Sequence, residues 1–516
     1  MVKKAVLNKQ MAAALGLTLS LSALAGCGNS GSGGSSADQP GNSAAAGKPQ
    51  PFKVSFMVPG FTTNLAKEET SNAWKKIEAY TNTKLEVNFV PNSSYGDKLN
   101  ITLASGSMPM VIEADPKSPS IVSAIQSGAF WELGPYLKDY PNLSKANPTI
   151  LNNISTDGKI YAIYRGRPLG RNGVVYRKDW LDNVGLKEPK TIDDFYNMLK
   201  AFTLDDPDKD GKNDTYGMVV TKYSGPWDNI QTWFGVPNKW GLDKDGKLQP
   251  AHLFPQYMEA LKFFRKLYNE KLVNSDFAVM DSAKWLDPLV NGQAGVIVDV
   301  TDNAGRLEQK IAPVNPKAVF DVSGAIPGPE GLRNLPTSGY GGVFLISKSS
   351  VKTEDDLKKV LTFMDKMNDG DMQMAAGYGT EGVNYKIEDG KLVQIPNDNP
   401  KPEDRFADLN QILTFITPGP EFKQATPLRE KVVQVQKENE KTIVANPAEP
   451  LISKTYMQKG TQLDNIIEDA RIKFIVGQLD EAGFQAAVDL WRKSGGDDYI
   501  KEINDAYAKA KAASGN

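Results

Sequence analysis

From position 52 the chain alternates short apolar runs with amphipathic stretches, and this order constrains the fold more than any other feature of the sequence. FKVSFMVP (52–59), KLEVNFVP (84–91) and MVIEAD (110–115) read as strands. NLAKEETSNAWKKIEAYT (64–81) and YGDKLNITLASG (95–106) carry apolar residues at helical spacing. Strands separated by helices pair in parallel through right-handed crossovers, so an α/β lobe is expected. A second block opens at Thr191, which can cap a helix with Asp194 three residues on and Phe195, Met198, Leu199 and Phe202 on one face. Thr353 and Asp356 repeat the design ahead of Leu357, Val360, Leu361 and Met364. Between these helices, GVIVDVTDN (295–303) and GYGGVFLIS (339–347) read as short apolar strands, expected as hinge strands. From Leu463 to Ala513 the pattern is largely helical.

The amino end sets the compartment. Lys3, Lys4 and Lys9 precede an apolar run from Met11 to Leu24, which falls short of the about 20 residues a membrane-spanning helix needs. Residues 1–26 are therefore expected as a signal peptide. The ending Leu24-Ala25-Gly26-Cys27 is similar to the lipobox of bacterial lipoproteins, which would make Cys27 the lipidated, palmitate-bearing first residue of the mature chain. Cys27 is the one cysteine in the sequence, so no internal disulfide can form and an exported fold must rest on its core, on ions or on ligand. Residues 27–50, rich in Gly and Ser, read as a flexible tether. Losing the leader removes three lysines and no acid, moving the formal net charge from −2 to −5. That imbalance points to no nucleic-acid partner.

DDPDKDGKNDTYG (205–217) has the make-up of a calcium loop. Asp206, Asp208, Asp210 and Asp214 stand at positions 1, 3, 5 and 9, Gly211 at 6 permits the sharp turn, and Lys212 at 7 offers its carbonyl. Position 12 is Gly217, where an EF-hand would supply a bidentate glutamate, so Asp214 would have to take that role. The following Tyr216 to Thr221 looks like a strand rather than a second helix, which favours a fixed structural Ca²⁺ over a sensor.

Catalytic signatures are sparse. The single histidine, His252, reads as a surface or cap residue, and no zinc, nucleophile-elbow or phosphate-loop motif occurs. Two carboxylates would suffice for a glycosidase, and Asp299 with Glu381 is one such pair. Tyr223, Trp227, Trp233, Phe234 and Trp240 crowd a Gly/Pro-rich stretch read as loop, where flat rings could meet the apolar faces of sugars. Trp227 and Trp233 are the expected ligand platforms, while Trp180 and Trp491 fall in helical patterns and are expected as core.

Taken together, SGSMPMVIEAD (105–115), DGKIYAIYR (157–165), YRKDWLDNVGLKEPKTIDDF (176–195), the calcium loop, GQAGVIVD (292–299), GTEGVNYKIEDGK (379–391) and DDYIKEINDAYAK (497–509) resemble the family 1 extracellular solute-binding proteins of carbohydrate ABC importers. The calcium loop is similar to that of alginate-binding members. The resemblance implies an α/β, two-lobed periplasmic-binding-protein-like fold of the maltodextrin-binding-protein type, with three hinge crossings. One lobe is expected at 50–162 plus 303–338, the other at 165–298 plus 343–516. It further implies a monomer that is not an enzyme, lipid-anchored on the extracytoplasmic face of the bacterial cell membrane. Such a protein would capture a sugar or oligosaccharide between its lobes and deliver it to ABC permease subunits. Matching the family's cleft segments gives Pro59, Gly60, Phe61, Asp115, Tyr164, Arg165, Asp299, Asp302, Tyr340, Tyr378 and Glu381 as binding residues, with Arg165 and Asp299 also able to pair with each other. A secreted polysaccharide-degrading enzyme and a peptide-binding lipoprotein remain as alternatives.

Overall fold

The computed structural model describes residues 50–62, 65–397, 399–423 and 426–514. Cys27, the segment read as a signal peptide and residues 27–49 of the tether lie outside the described residues. Among the described residues, no helix is long and apolar enough to cross a membrane.

Alternating apolar residues draw the first run into strand β1 (Phe52–Gly60), and Ser71 then caps the helix Asn72–Thr81 by accepting from the Trp74 amide. That helix begins later than its periodicity suggests, because its buried stripe is only Ala73, Trp74, Ile77 and Thr81. Strands β2 (Thr83–Pro91) and β3 (Val111–Ala114) both pair in parallel with β1. Next come β4 (Ala162–Gly166), β5 (Asn172–Arg177), β6 (Tyr216–Met218), β7 (Trp240–Leu242), β8 (Leu248–Pro250), β9 (Ala294–Val300) and β10 (Phe320–Ser323). The last strands are β11 (Tyr340–Ile346), β12 (Tyr385–Glu388) and β13 (Lys391–Gln394).

Two mixed sheets organise the chain. The first runs β2-β1-β3-β11-β4 and the second β10-β5-β9-β6, while β7-β8 and β12-β13 are separate hairpins. Every residue of β3 and of β5 is buried, as expected of inner strands covered on both faces. Thr191 and Thr353 cap their helices through the amides of Asp194 and Asp356, each followed by the predicted apolar stripe.

The lobe boundaries differ from the expectation. Strand β10 pairs antiparallel with β5 in the second sheet, and the helix Asn303–Ile311 packs with Val175 and Ile297 of that sheet, so residues 303–323 belong to the C-terminal lobe. Strand β11 lies between β3 and β4, and Leu357, Val360, Met364, Met372 and Leu413 share a core with Val54 and Phe56, so much of 343–417 belongs to the N-terminal lobe. The chain therefore changes lobe between β4 and β5, between β10 and β11, and between Thr417 and the helix Pro427–Asn439, whose Leu428, Val432 and Val435 join the second sheet. Neither 295–303 nor 339–347 crosses as a hinge strand: each sits wholly within one sheet, because its apolar residues find partners on both sides there.

Candidate functional site

Arginines gather where β4 leaves the first sheet. Alternation along a strand puts Arg165 and Arg167 on one side. Arg165 donates to Glu113 Oε1 at 3.0 Å and to the carbonyls of Leu413 and Asn410. Arg171 donates to Asp302 Oδ2 at 2.7 Å, and Gln436 donates to the same oxygen. Arg167 lies across the start of β11, so close that a Cβ on Gly341 would stand 2.2 Å from its Nε and push the guanidinium aside. Arg167 has no salt bridge among the described residues, and partial burial together with Arg171 and Arg165 lowers its pKa.

These residues border a groove. A cavity of about 720 Å³ is lined by Tyr95, Asp115 and Lys117 of the N-terminal lobe, by Arg167 and Tyr340 at the crossings, and by Lys239 and Glu449 from the C-terminal lobe. A neck of about 100 Å³ shares Lys239, Ser338 and Glu449 with it, and a further pocket of about 420 Å³ shares Asn238 and Lys239 with the neck. Burial pushes the Lys117 ammonium down to about 8 against the pull of Glu449 and Asp115, and among the described residues its Nζ donates to the Ser155 carbonyl alone, at 3.2 Å. Lys239 forms no salt bridge among the described residues, though its charge acts on Asp464, and it and Arg167 carry positive charge to the edge of the groove. Two other depressions, of about 740 and 1,040 Å³, each draw on one lobe only.

A groove built from both lobes and from the chain's crossings is the geometry of a capture protein, and comparison with known sequences agrees. The model of the bacterial extracellular solute-binding protein family matches residues 62–404. The chain belongs to this family. It is 46% identical to Lipoprotein LipO of Bacillus subtilis over 96% of this chain and 98% of that one. It is 36% identical to the polygalacturonan/rhamnogalacturonan-binding protein YtcQ of the same organism, over 92% and 95%. The ABC-transporter substrate-binding protein FusA of S. pneumoniae, solved with kestose, superposes with a TM-score of 0.62 at 19% identity, over 89% of this chain and 100% of that one. That likeness shows the two-lobed fold.

Within this solute-binding fold the expected binding residues scatter. Pro59, Asp115 and Tyr340 line the groove. Arg165 sits beside it, paired with Glu113 rather than with Asp299. Asp302 and Asp299 stand at the end of β9 near Arg171, and burial raises Asp299 to about 6. Gly60, Phe61, Tyr164, Tyr378, Glu381, Trp227 and Trp233 do not line it. Tyr164 is 3% exposed, its hydroxyl accepting from the Asn147 amide within the core. Phe61 is exposed, with its amide on Asp408, and Tyr378 and Glu381 lie with Tyr385 of the β12-β13 hairpin.

Trp227 and Trp233 are core, contrary to the expectation. Both are 2% exposed, and their stretch is the helix Gly225–Trp233 with Pro226 in its first turn, where a missing amide costs nothing. Trp227 packs on Phe264 and Phe277, and Trp233 meets Phe195 edge to face at 5.3 Å. Trp180 and Trp491 are buried, and His252 is wedged against Trp491 rather than lying on the surface. Lys117, Arg167, Lys239 and Glu449 escaped the sequence reading. The alternation of Arg165 and Arg167 was the available signal, whereas Lys239 and Glu449 reach the groove only through tertiary packing.

At the calcium loop, carboxylate oxygens of Asp206, Asp208 and Asp210 lie within 4.8 Å of one another. Gly211 adopts φ 79° at the turn, as an EF-type loop demands. Asp208 Oδ1 is buried without a partner, which fits a hard cation among these oxygens. Asp214 stands outside the cluster and lines the 1,040 Å³ depression, and the Lys212 ammonium pairs with Asp210.

Proposed function

We propose that this protein captures an acidic oligosaccharide in the interlobe groove and delivers it to the permease of an ABC transporter, without altering it chemically. The observation that carries the acidic class is Arg167, desolvated between Arg165 and Arg171, whose charges are already met by Glu113 and Asp302. This guanidinium has no salt-bridge partner of its own among the described residues, so a ligand carboxylate would complete it, and Lys117 and Lys239 stand along the same groove beside Asp115 and Glu449. The name of YtcQ, which binds polygalacturonan and rhamnogalacturonan, supports the same class. Ligand contacts on both lobes favour the closed arrangement, and closure is the signal a permease can read.

Titration of the mature protein with oligogalacturonides and with neutral fructo-oligosaccharides tests this. Tight binding of the acidic series is expected, with contraction in X-ray scattering and recovery of the sugar uncleaved. Arg167→Met should weaken that series by about 10- to 150-fold, the worth of a charge-assisted hydrogen bond. A preference for the neutral series, or cleavage of either, would reject the reading.

The lipid anchor is the second part of the proposal, supported by the Leu-Ala-Gly-Cys ending and by the relative named as a lipoprotein. Cys27→Ala is expected to release the protein from membrane fractions into the soluble phase. Retention of this variant on membranes would eliminate the anchor.

A further inference from the structure

The groove continues past Lys239 into the 420 Å³ pocket of the C-terminal lobe, a volume within the about 300–1,000 Å³ typical of small-molecule sites. Its lining is built unlike the hinge. Arg471, 4% exposed, places Nη1 3.1 Å from Asp228 Oδ1 and Nη2 on Glu468, so its charge is already balanced. Its Nε remains buried without a partner. Gln231, 8% exposed, donates through Nε2 to Asp228, while its Oε1 accepts nothing. His252 Nε2 is also unpartnered, and burial holds this imidazole neutral, with its pKa down to about 3. Tyr456 stacks on Tyr499 with ring centres 4.6 Å apart, and its hydroxyl donates to Asp464 at 2.7 Å.

Three buried polar atoms without partners around one pocket form an unfinished hydrogen-bond set: an acceptor, a donor, and an imidazole nitrogen that can be either. Each such group left unmet is costly to bury, and a ligand bearing hydroxyls would recover that loss. Ring faces beside carboxylates suit the apolar and hydroxylated sides of a sugar. A carboxylate-bearing unit is disfavoured, because Asp228, Asp464 and Glu468 border the space, its one arginine is already paired, and the charge of Lys239 at the shared edge acts on Asp464.

We propose that this pocket is a subsite for a neutral, hydroxyl-bearing sugar unit of the same chain whose acidic unit sits at the hinge. The inference rests on the acidic-oligosaccharide reading and adds a polarity to the groove: charge is recognised at Arg167, neutrality beyond Lys239. Such a groove selects chains that carry both kinds of unit over chains of uronate alone.

Calorimetric titration of the full mature protein, wild type, Gln231→Met and Tyr456→Ala, with two probes of equal length tests it. The probes are oligogalacturonides, acidic throughout, and rhamnogalacturonan oligosaccharides, which carry neutral and acidic units. Wild type should bind the mixed chain about tenfold more tightly, and either variant should lose that advantage while holding the acidic chain as before. Gln231→Met keeps the side-chain volume and so remains informative if Tyr456→Ala folds poorly. Equal binding of both probes by wild type, or variants that match wild type on the mixed chain or lose both probes equally, would overturn the subsite alone. Binding of neither probe by wild type would overturn the hinge reading and the subsite with it.

Discussion

Trp233→Ala is expected to destabilise the fold by about 3–5 kcal/mol, the usual cost of emptying a buried tryptophan site. The ring is among the largest fully buried side chains, packed edge to face on Phe195 in the core it shares with Ile230, Val236 and Ile326. Its own carbonyl lies where a Cβ on Gly328 would come within 1.7 Å, so the chain entering the second crossing is fitted against this helix end and cannot readily collapse into the void. The loss should appear in urea denaturation as a lower midpoint with the slope kept, since folded and unfolded areas change little. Sugar affinity of the folded fraction should survive. An unmoved midpoint with lost affinity would restore Trp233 as a ligand platform.

Removal of calcium should produce the other large effect. Asp206, Asp208 and Asp210 bring three carboxylates together with one buried oxygen unpartnered, and without a cation their mutual repulsion opposes the folded loop. An ion bound only by the native state adds stability as its concentration exceeds the dissociation constant, about 4 kcal/mol at a thousandfold excess. We propose a structural Ca²⁺ here, and excess EDTA is expected to lower the melting temperature, with calcium restoring it. Asp208→Ala with Asp210→Ala should melt at the lower temperature regardless of chelator. Melting of the wild type that ignores full chelation would dismiss the ion.

Local chemistry was the legible part of this chain. Period-2 and period-3.6 patterns marked β1, β2, β3 and the helices between them, and the Thr-x-x-Asp spacing at Thr191 and Thr353 identified two helix starts that form in the structure. The Asp-rich loop announced its cluster because its three grouped carboxylates sit within five consecutive residues. Reading failed where the deciding contact is distant. FDVS (320–323) and YGGVFLI (340–346) are both short strands, yet one pairs with β5 and the other with β3 and β4, and that choice moved the lobe boundaries. The Gly/Pro-rich stretch around Trp227 passed for a loop because Gly225 and Pro226 open a helix whose tryptophans turn inward.

By itself, then, the order of residues determined what acts over a few positions: an alternating α/β chain, its helix caps and an Asp-rich turn. Which strands share a sheet, which tryptophans are buried, and that Lys117, Arg167, Lys239 and Glu449 meet around one groove were decided by tertiary structure. The physical reason is that pairing and burial depend on partners hundreds of residues away, and the same short apolar or charged pattern is satisfied by several of them until the whole core selects one.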